Sequence, residues 1–557
     1  MIRVFSAAMV VAAAGFLLSS PPPAPAPKSP LVDVLTNRYD NWRSGDNSRE
    51  TLLTPKNING QQFGKLFERS VDGDIYAQPL VKNGVQIPGL GPRNVVYVAT
   101  TNNNLYAFDA DLPQVGDPYW QVGKDVLGDP VPRADVSDLK PPDQYLNFEH
   151  NIGVVATPVI DSGTNTIYIV AKSRYSGGYR HRLFAFDLAT GHERKDLGSP
   201  VNIEPTAMGN GVGNVDGKIH MQSRKLVNRA ALLLQDGILY VAFGAHADGE
   251  PRFDYHGWIV AYDAHTLRQV AALCTTPDGI QGGVWQSGAG LAAEPREGTF
   301  PLIYAVVGNG SAIGRNVGQS ILQMYPGELL SAKQDFTPSN VGEMNDLDLD
   351  LSTGPVLFPD LPFMLACTKD GKCYVVDRTN MHLVQELEAA KNSVGTGRAS
   401  NIHGTPVFWR DSNNALFIYV WGEEDFLRSY RFDGKRFVPA GRSQFPAPPN
   451  SMPGAALSIS ANGTASDSGV VWASLPIKDD ANNATVPGVL RAFSTMDISH
   501  ELWDSEQNAG RDRLGMFAKF CPPVVANGKV YMATFAPPAD APAGPGKLVV
   551  YGLLPAS

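Results

Sequence analysis

Short apolar runs recur along the whole chain, with β-branched and aromatic residues alternating with small or polar ones between glycine-, asparagine- and aspartate-rich turns. The clearest copy comprises residues 76–81 (YAQPLV), 95–100 (VVYVAT) and 105–109 (LYAFD). Further copies begin at Ala156, Ala230, Gly288, Gly354, Gly404, Ala456 and Cys521. A period of two bounded by turn residues predicts β-strands and not helices.

The copies follow one another at a spacing of roughly 50 to 75 residues, which suits a four-stranded blade with insertions. We therefore predict an all-β fold, an eight-bladed β-propeller of four-stranded antiparallel blades, because a closed ring leaves no exposed sheet edges. Two stacked sandwiches are the alternative.

The last copy ends at Tyr551 without a fourth strand, and residues 63–70 (FGKLFERS) precede the first copy. We predict that this N-terminal strand completes the last blade.

The N-terminus resembles an export signal, with Arg3 ahead of an apolar run at 5–18 that is short for a membrane span. We predict a signal peptide at 1–20, a Pro/Ala-rich linker at 21–36 and one propeller domain at 37–557. The protein is then secreted or periplasmic after signal-peptide cleavage, without a membrane span. An uncleaved anchor is the alternative.

The net charge of −9 is spread along the chain without a basic block, which argues against nucleic acid and anionic membranes as partners. The four cysteines are too few for a disulfide scaffold. Cys367 and Cys373 flank the turn at Asp370 and Gly371, and the register of that hairpin decides whether they bond. No C-x-x-C-H motif for covalent haem is present, and nothing indicates an oligomeric state.

Polar residues stand immediately before several predicted first strands, a position that converges on the axis of a propeller. They are either a solvated channel mouth or a binding site. These residues are Gln78, Thr157, Arg229, Gln286, Asn401, His403 and Lys519.

Four segments in the middle of the chain carry the candidate chemistry. In order, they are residues 282–287 (GGVWQS), 303–311 (IYAVVGNGS), 345–350 (NDLDLD) and 368–380 (TKDGKCYVVDRTN). Together they resemble the core of the eight-bladed quinoprotein alcohol dehydrogenases, which use pyrroloquinoline quinone (PQQ) and calcium. The resemblance implies an oxidoreductase that oxidises an alcohol or sugar hydroxyl and passes electrons to a separate acceptor.

The resemblance also implies a role for each residue. Trp285 matches the indole on which the quinone stacks, and Asn309 matches an amide ligand of calcium. Asp346 or Asp348 matches the carboxylate that removes the substrate proton, with Asp346 preferred and also a metal-ligand candidate. Lys369 matches the cation that stabilises charge on the quinone oxygen. Further cofactor contacts are expected from the axial residues Arg229, Asn401 and His403.

Taken singly, these residues have structural explanations as well. Trp285 suits a core position, Asn309 suits a turn or a glycan acceptor, and Lys369 suits a hairpin turn.

The chain also departs from that family. No two cysteines are adjacent, so the family's disulfide over the quinone is absent. His246 stands where a glutamate calcium ligand is expected, which leaves Asp248 or Glu250 to supply the carboxylate. These departures favour a second hypothesis, a cofactor-free propeller that serves as a binding or assembly scaffold. A third is a carbohydrate-active propeller with the paired carboxylates Glu149 and Asp348.

Overall fold

A computed structural model gives the fold of the chain. It describes residues 31–139, 146–246, 254–294, 301–390 and 400–555. The compact unit begins at Leu31. The predicted signal peptide and residues 21–30 of the predicted linker lie outside the described residues. Residues 31–36 lie against the propeller, where Val34 pairs with Val81.

The described residues contain eight sets of four antiparallel strands. Blade 1 comprises Leu80–Ile87, Gly91–Thr100, Asn104–Asp109 and Trp120–Val122; blade 2 comprises Val159–Asp161, Thr166–Tyr175, Gly178–Asp187 and Val201–Asn202; blade 3 comprises Leu233–Gln235, Ile238–Ala245, Trp258–Asp263 and Gln269–Cys274; blade 4 comprises Ala292–Ala293, Ile303–Val307, Ser320–Tyr325 and Ser331–Phe336. Blade 5 comprises Val356–Leu357, Phe363–Cys367, Lys372–Asp377 and His382–Glu388; blade 6 comprises Val407–Arg410, Leu416–Val420, Phe426–Phe432 and Phe437–Pro446; blade 7 comprises Ala456–Ser460, Val470–Pro476, Pro487–Ser494 and Asp497–Asp504; blade 8 comprises Val524–Ala526, Lys529–Phe535, Gly546–Leu553 and Phe63–Val71. The predicted propeller of four-stranded antiparallel blades is confirmed, and the eight sets are consistent with eight blades.

The ring closes through the N-terminal strand. Phe63–Val71 lies antiparallel to Gly546–Leu553, with Phe63 opposite Leu553 and Val71 opposite Gly546. The predicted closure of the last blade is therefore confirmed.

The remaining elements are short and lie between or beside the blades. The helices are α1 (Lys124–Leu127), α2 (Val341–Asp346) and α3 (Ala509–Asp512). The 3₁₀ turns are Arg133–Leu139, Lys195–Leu197, Gln286–Gly288 and Gly327–Leu329. The extra strands are Asp46–Asn47, Val131–Pro132, Asn151–Ile152, Thr206–Met208, Lys218–His220, Leu226–Val227 and Gly515–Phe517. No helix within the described part of the chain is long and apolar enough to cross a membrane.

The hydrophobic core lies between neighbouring blades. One buried cluster joins Tyr97 of blade 1 to Phe184 of blade 2, and another joins Val375 of blade 5 to Ile418 of blade 6. Each large apolar side chain buried in this way contributes about 1.5–3 kcal/mol. The strand alternation read from the sequence is thus the alternation between the two faces of each blade.

Residues 34–47, here called the N-terminal belt, contact the first, inner strand of every blade or the residue beside it. The belt meets the blades in chain order, so it closes the ring a second time. Hydrogen bonds join Val34 to Val81, Leu35 to Ile160, Asn41 to Leu234 and Ala293, Trp42 to Leu357, Ser44 to Phe408, Gly45 to Ile459 and Asn47 to Val525.

Arg43 anchors the belt from inside the protein. Its side chain is fully buried, and the guanidinium donates to the carbonyls of Leu291 at 2.8 Å, Asn37 at 2.8 Å and Leu232 at 3.4 Å. It also donates to the Thr36 hydroxyl at 2.9 Å. Because Leu232 and Leu291 lead into blades 3 and 4, one side chain ties the belt to both.

Candidate functional site

Three of the predicted axial residues have structural partners. Thr157 Oγ1 accepts from the Gln78 backbone N–H at 2.9 Å, and Gln78 Oε1 accepts from the Arg38 N–H of the belt at 2.9 Å. Gln286 Oε1 accepts from the Val306 N–H at 3.0 Å. All three side chains are buried. At these positions the polar side chains therefore form hydrogen bonds with backbone groups and do not line a solvated channel mouth.

A compact polar cluster forms between blades 4 and 5. Lys369 Nζ lies 3.0 Å from Asp348 Oδ1 and 2.7 Å from Asp350 Oδ1. Asn309 Nδ2 donates to Asp348 Oδ1 at 2.6 Å, and Asn309 Oδ1 accepts from Gln319 Nε2 at 2.7 Å. The Asp348 side chain is 62% exposed, whereas that of Asp350 is 4% exposed. The cluster therefore presents one accessible carboxylate beside a buried ion pair.

The turn that carries Lys369 is held from both sides. Lys369 lies in the hairpin between the second and third strands of blade 5, and its N–H donates to the Asp350 carbonyl at 3.1 Å. Cys367 and Cys373, which lie directly opposite each other on those strands, form a disulfide. The pairing that the sequence left open is therefore present, and it closes this hairpin.

Trp285 lies next to the cluster and packs against three glycines. A Cβ atom on Gly244 would stand 2.8 Å from the indole, and one on Gly283 would stand 2.6 Å from its Nε1. A Cβ on Gly308 would lie 3.1 Å from the indole and 2.6 Å from Asp350 Oδ2. The residue as a whole is only partly buried, although its Nε1 is buried without a hydrogen-bond partner among the described residues and glycine backbone packs around the ring.

The backbone after Trp285 is strained. Gln286 and Ser287 have φ values of 49° and 44°, the left-handed region that non-glycine residues seldom adopt. Ser287 Oγ donates to the Ser352 carbonyl at 2.9 Å, which helps to hold the turn. Such strain concentrates at functional sites, where surrounding contacts fix one geometry.

Arg229 occupies an aromatic cage on the axis. Its guanidinium carbon lies 4.9 Å from the centre of the Phe520 ring, 5.3 Å from that of Phe148 and 5.9 Å from that of Tyr76. The neighbouring Lys519 is buried, and burial, reinforced by the charge of Arg229, lowers its pKa to about 7. Two cationic side chains thus lie together in apolar surroundings.

The loop with Asn401 and His403 borders the cluster. His403 Nε2 lies 3.1 Å from Glu423 Oε1, and the Asn401 carbonyl accepts from the Glu423 N–H at 2.9 Å. Between them, the Ile402 N–H donates to the Thr368 carbonyl at 3.3 Å. This loop therefore lies beside the Lys369 hairpin.

Two of the predicted residues are not placed in the cluster. Asp346 ends α2 and is exposed, whereas Asp348 and Asp350 follow the helix and contact Lys369. Asp350, which the sequence did not single out, is the second carboxylate instead. Asp248 lies outside the described residues.

A buried ammonium lies where the resemblance places an acidic calcium ligand. Lys172 Nζ lies 2.5 Å from His246 Nε2 and donates to the carbonyls of Arg224 at 3.0 Å and Leu226 at 2.7 Å. Burial, with nearby cations, lowers the pKa of both Lys172 and His246 well below the usual values. The one signal in the sequence is a lysine inside the apolar run of Thr166–Tyr175, since an ammonium at a buried strand position needs acceptors inside the protein.

The described residues do not fit calcium in the way the resemblance implies. Within the described ranges, no three His, Cys, Asp or Glu side chains come together as a metal site. The oxygens of Asp348 and Asp350 already flank the Lys369 ammonium, and a calcium ion needs six to eight oxygen ligands. The partly buried indole of Trp285, next to the cluster that holds the Lys369 ammonium, does suit a flat, anionic quinone.

The paired carboxylates of the third hypothesis have separate partners. Glu149 Oε1 accepts from the Ala539 N–H at 3.1 Å, and Glu149 Oε2 lies 3.8 Å from Arg133. Asp348 belongs to the Lys369 cluster. Nothing in this arrangement favours paired-carboxylate glycoside chemistry.

No protein-family model and no curated protein matches the sequence. Solved structures do match. A quinohemoprotein alcohol dehydrogenase from Comamonas testosteroni is 14% identical with a TM-score of 0.58, over 93% of this chain and 80% of that one. A quinohemoprotein alcohol dehydrogenase from Pseudomonas putida HK5 is 13% identical with a TM-score of 0.58, over 94% and 81%. A europium-containing methanol dehydrogenase is 14% identical with a TM-score of 0.51, over 94% and 98%. The likeness is one of fold.

Proposed function

We propose that the protein is an exported, quinoprotein-like oxidoreductase that oxidises an alcohol or sugar hydroxyl at the propeller axis with PQQ as its cofactor. The observation that carries the proposal is the partly buried indole of Trp285 beside the cluster of Asp348, Asp350 and Lys369. Oxidation of an alcohol needs a base for the hydroxyl proton and an acceptor for the hydride of the adjacent carbon, and a carboxylate and a fixed ammonium beside an aromatic platform suit that reaction.

Each residue has a distinct task in this proposal. When bound, PQQ supplies a carbonyl that accepts a hydride. Trp285 offers the stacking surface. Asp348 takes the hydroxyl proton of the substrate, because its side chain is the exposed carboxylate of the cluster. Asp350 holds the Lys369 ammonium in place, and Lys369 stabilises negative charge that develops beside it.

The described residues favour Asp348 over Asp346 as the base. Asp346 lies at the exposed end of α2, whereas Asp348 contacts both Lys369 and Asn309. We assign no step to calcium, because Lys369 lies between the two carboxylates.

The test is reconstitution of the full chain with PQQ, with and without Ca²⁺, followed by dye reduction over a panel of alcohols and sugars. Asp348→Asn and Lys369→Met should each lower turnover by about 10²-fold or more. Lys56→Met is the matched control, since Lys56 forms an exposed ion pair with Asp467 at 2.7 Å away from the axis. Absence of both quinone absorbance and dye reduction, with or without Ca²⁺, would refute the proposal.

A cofactor-free binding or assembly scaffold is the second candidate. The favouring observation is that both ends of the Asn309 amide are already bonded, to Gln319 and Asp348. If the protein is a scaffold, Asp348→Asn and Lys369→Met change its stability, and the wild type has no turnover for them to lower.

Export is tested separately by N-terminal sequencing of the mature protein, where an intact Met1 contradicts signal-peptide cleavage.

A further inference from the structure

Arg229 is a buried cation without a conventional partner. Its exposed fraction is 7%, and its Nε is buried with no hydrogen-bond partner. Across the described part of the chain, no carboxylate forms an ion pair with it. A buried guanidinium normally has carboxylate or carbonyl acceptors, because desolvation of an unpaired charge is costly.

The cage around Arg229 supplies only part of this compensation. The rings of Tyr76, Phe148 and Phe520 attract the cation through their faces but accept none of its in-plane N–H groups well. The three rings also form apolar walls. The cage therefore leaves the Nε–H donor of a planar cation unused in apolar surroundings.

Lys519 adds a second cation to the same place. Its Nζ donates to the carbonyls of Ala481 at 2.9 Å and Asn482 at 2.8 Å, which uses two of the three N–H donors of an ammonium. Like Arg229, it forms no ion pair with a described carboxylate.

The acids that act on Lys519 from a distance are largely engaged elsewhere. Asp74 Oδ2 lies 3.1 Å from His150 Nδ1, and its Oδ1 accepts from the Ala536 N–H at 2.9 Å. Glu149 has Arg133 and Ala539 as partners. Asp480 acts on Lys519 as well, and its Oδ1 accepts from the Asn482 N–H at 2.6 Å. Among the described residues, none of these three acids forms an ion pair with Arg229 or Lys519.

We infer that Arg229 and Lys519 bind the carboxylate of a flat ligand beside the rings of Tyr76, Phe148 and Phe520. A carboxylate is planar and matches the fork of a guanidinium, and the rings suit the flat group that carries it. A phosphate is tetrahedral and more strongly hydrated, so these apolar walls disfavour it. The carboxylate belongs either to a free organic acid or to a quinone such as PQQ, and the site does not depend on oxidoreductase activity.

The experiment titrates the purified full chain calorimetrically with benzoate, with PQQ and with inorganic phosphate, each alone at pH 6.5. We expect benzoate or PQQ to bind, and the affinity to fall at least tenfold in Arg229→Met and in Lys519→Met. Benzoate binding identifies a site for free organic acids, whereas Arg229-dependent binding of PQQ alone identifies the carboxylate of a larger flat ligand.

Arg442→Met is the matched control. Arg442 also lies over an aromatic ring, 4.4 Å from the centre of Phe426, but on an exposed strand of blade 6, so its loss should leave affinity unchanged. Circular dichroism melts confirm that each variant folds, and Arg229→Lys should retain part of the affinity. The inference is overturned if neither carboxylate binds, if Arg229→Met binds like the wild type, or if phosphate binds more tightly than both. These outcomes are independent of dye reduction, so they are distinguishable from failure of the proposed function.

Discussion

Arg43 and Arg229 are both buried guanidinium groups near the propeller axis, yet their surroundings are opposite. Arg43 is fully buried in the N-terminal belt and donates to carbonyls of the belt and of the segments leading into blades 3 and 4. Arg229 lies among three aromatic rings, and its Nε has no hydrogen-bond partner.

The contrast separates a structural charge from a ligand-binding one. Carbonyl dipoles around Arg43 replace the water that the guanidinium loses, so the Arg43 side chain needs no ligand. Among the described residues the Nε of Arg229 has no such acceptor, and the proposed carboxylate would supply one. The belt is therefore built for closure, and the cage with Lys519 is built for binding.

The largest expected effect is that of Arg43→Met. The variant leaves several buried carbonyls without donors, so we expect unfolding free energy to fall by about 3–5 kcal/mol. Urea denaturation followed by circular dichroism measures it. Arg442→Met, on the exposed surface, should stay within about 0.5 kcal/mol of the wild type. Equal losses in the two variants would show that the carbonyl contacts of Arg43 are not what stabilises the belt.

Gly308→Ala tests the packing between Trp285 and Asp350. The added methyl group would lie 2.6 Å from Asp350 Oδ2 and 3.1 Å from the indole, so we expect a loss of about 1–3 kcal/mol. Tryptophan fluorescence should shift as well. Gly342→Ala in α2, with no atom within 4 Å of the new Cβ, is the control and should not destabilise. An unshifted spectrum with full stability would contradict the close packing at Gly308.

Arg229→Met should change stability by less than about 1 kcal/mol, because the loss of cation–π contacts is offset by removal of an unpaired buried charge. The same urea denaturation measures it beside Arg43→Met. A loss as large as that of Arg43→Met would mean that Arg229 has structural acceptors, and the comparison between the two arginines would fail.

The last prediction concerns ligand affinity and not stability: carboxylate binding should depend on pH. Burial lowers the pKa of Lys519 to about 7, so the ammonium loses its proton as pH rises through that value and attraction for an anion weakens. We expect benzoate affinity to fall by roughly tenfold, or ~1.4 kcal/mol, between pH 6 and pH 8.5. His150 and the acids Asp74, Glu149 and Asp480 also face this region.

Lys519→Met separates these contributions. If Lys519 is the titrating group, the variant binds weakly at every pH and the slope disappears. A slope that persists in Lys519→Met would assign the titration to His150, whose pKa is raised by Asp74.

The blades were readable from the sequence because their signal is local. Alternation at two residues, turn residues and an aromatic residue before aspartate recur in runs such as residues 95–100 and 105–109. Even the closing strand at Phe63–Val71 was recognisable, since an outer strand has the same pattern wherever it lies in the chain.

The site was only partly readable. The sequence indicated Trp285, Asn309, Asp348 and Lys369, which lie together in the structure. It favoured Asp346 through the resemblance to the quinoprotein alcohol dehydrogenases, whereas residues 341–346 are helical and the positive φ of Asp348, 54°, redirects the chain. Helix and strand are hard to distinguish over so short a segment.

By itself, the sequence determined the class of fold, the number of repeats, the strand that closes the ring and most residues of the polar cluster. Only the tertiary structure decided that the N-terminal belt contacts all eight blades and that Arg43 has carbonyl acceptors where the Nε of Arg229 has none among the described residues. The physical reason is the distance along the chain over which the interactions act. Strand periodicity depends on neighbouring residues, whereas the partners of a buried charge come from segments hundreds of positions apart, such as Arg229 and Phe520.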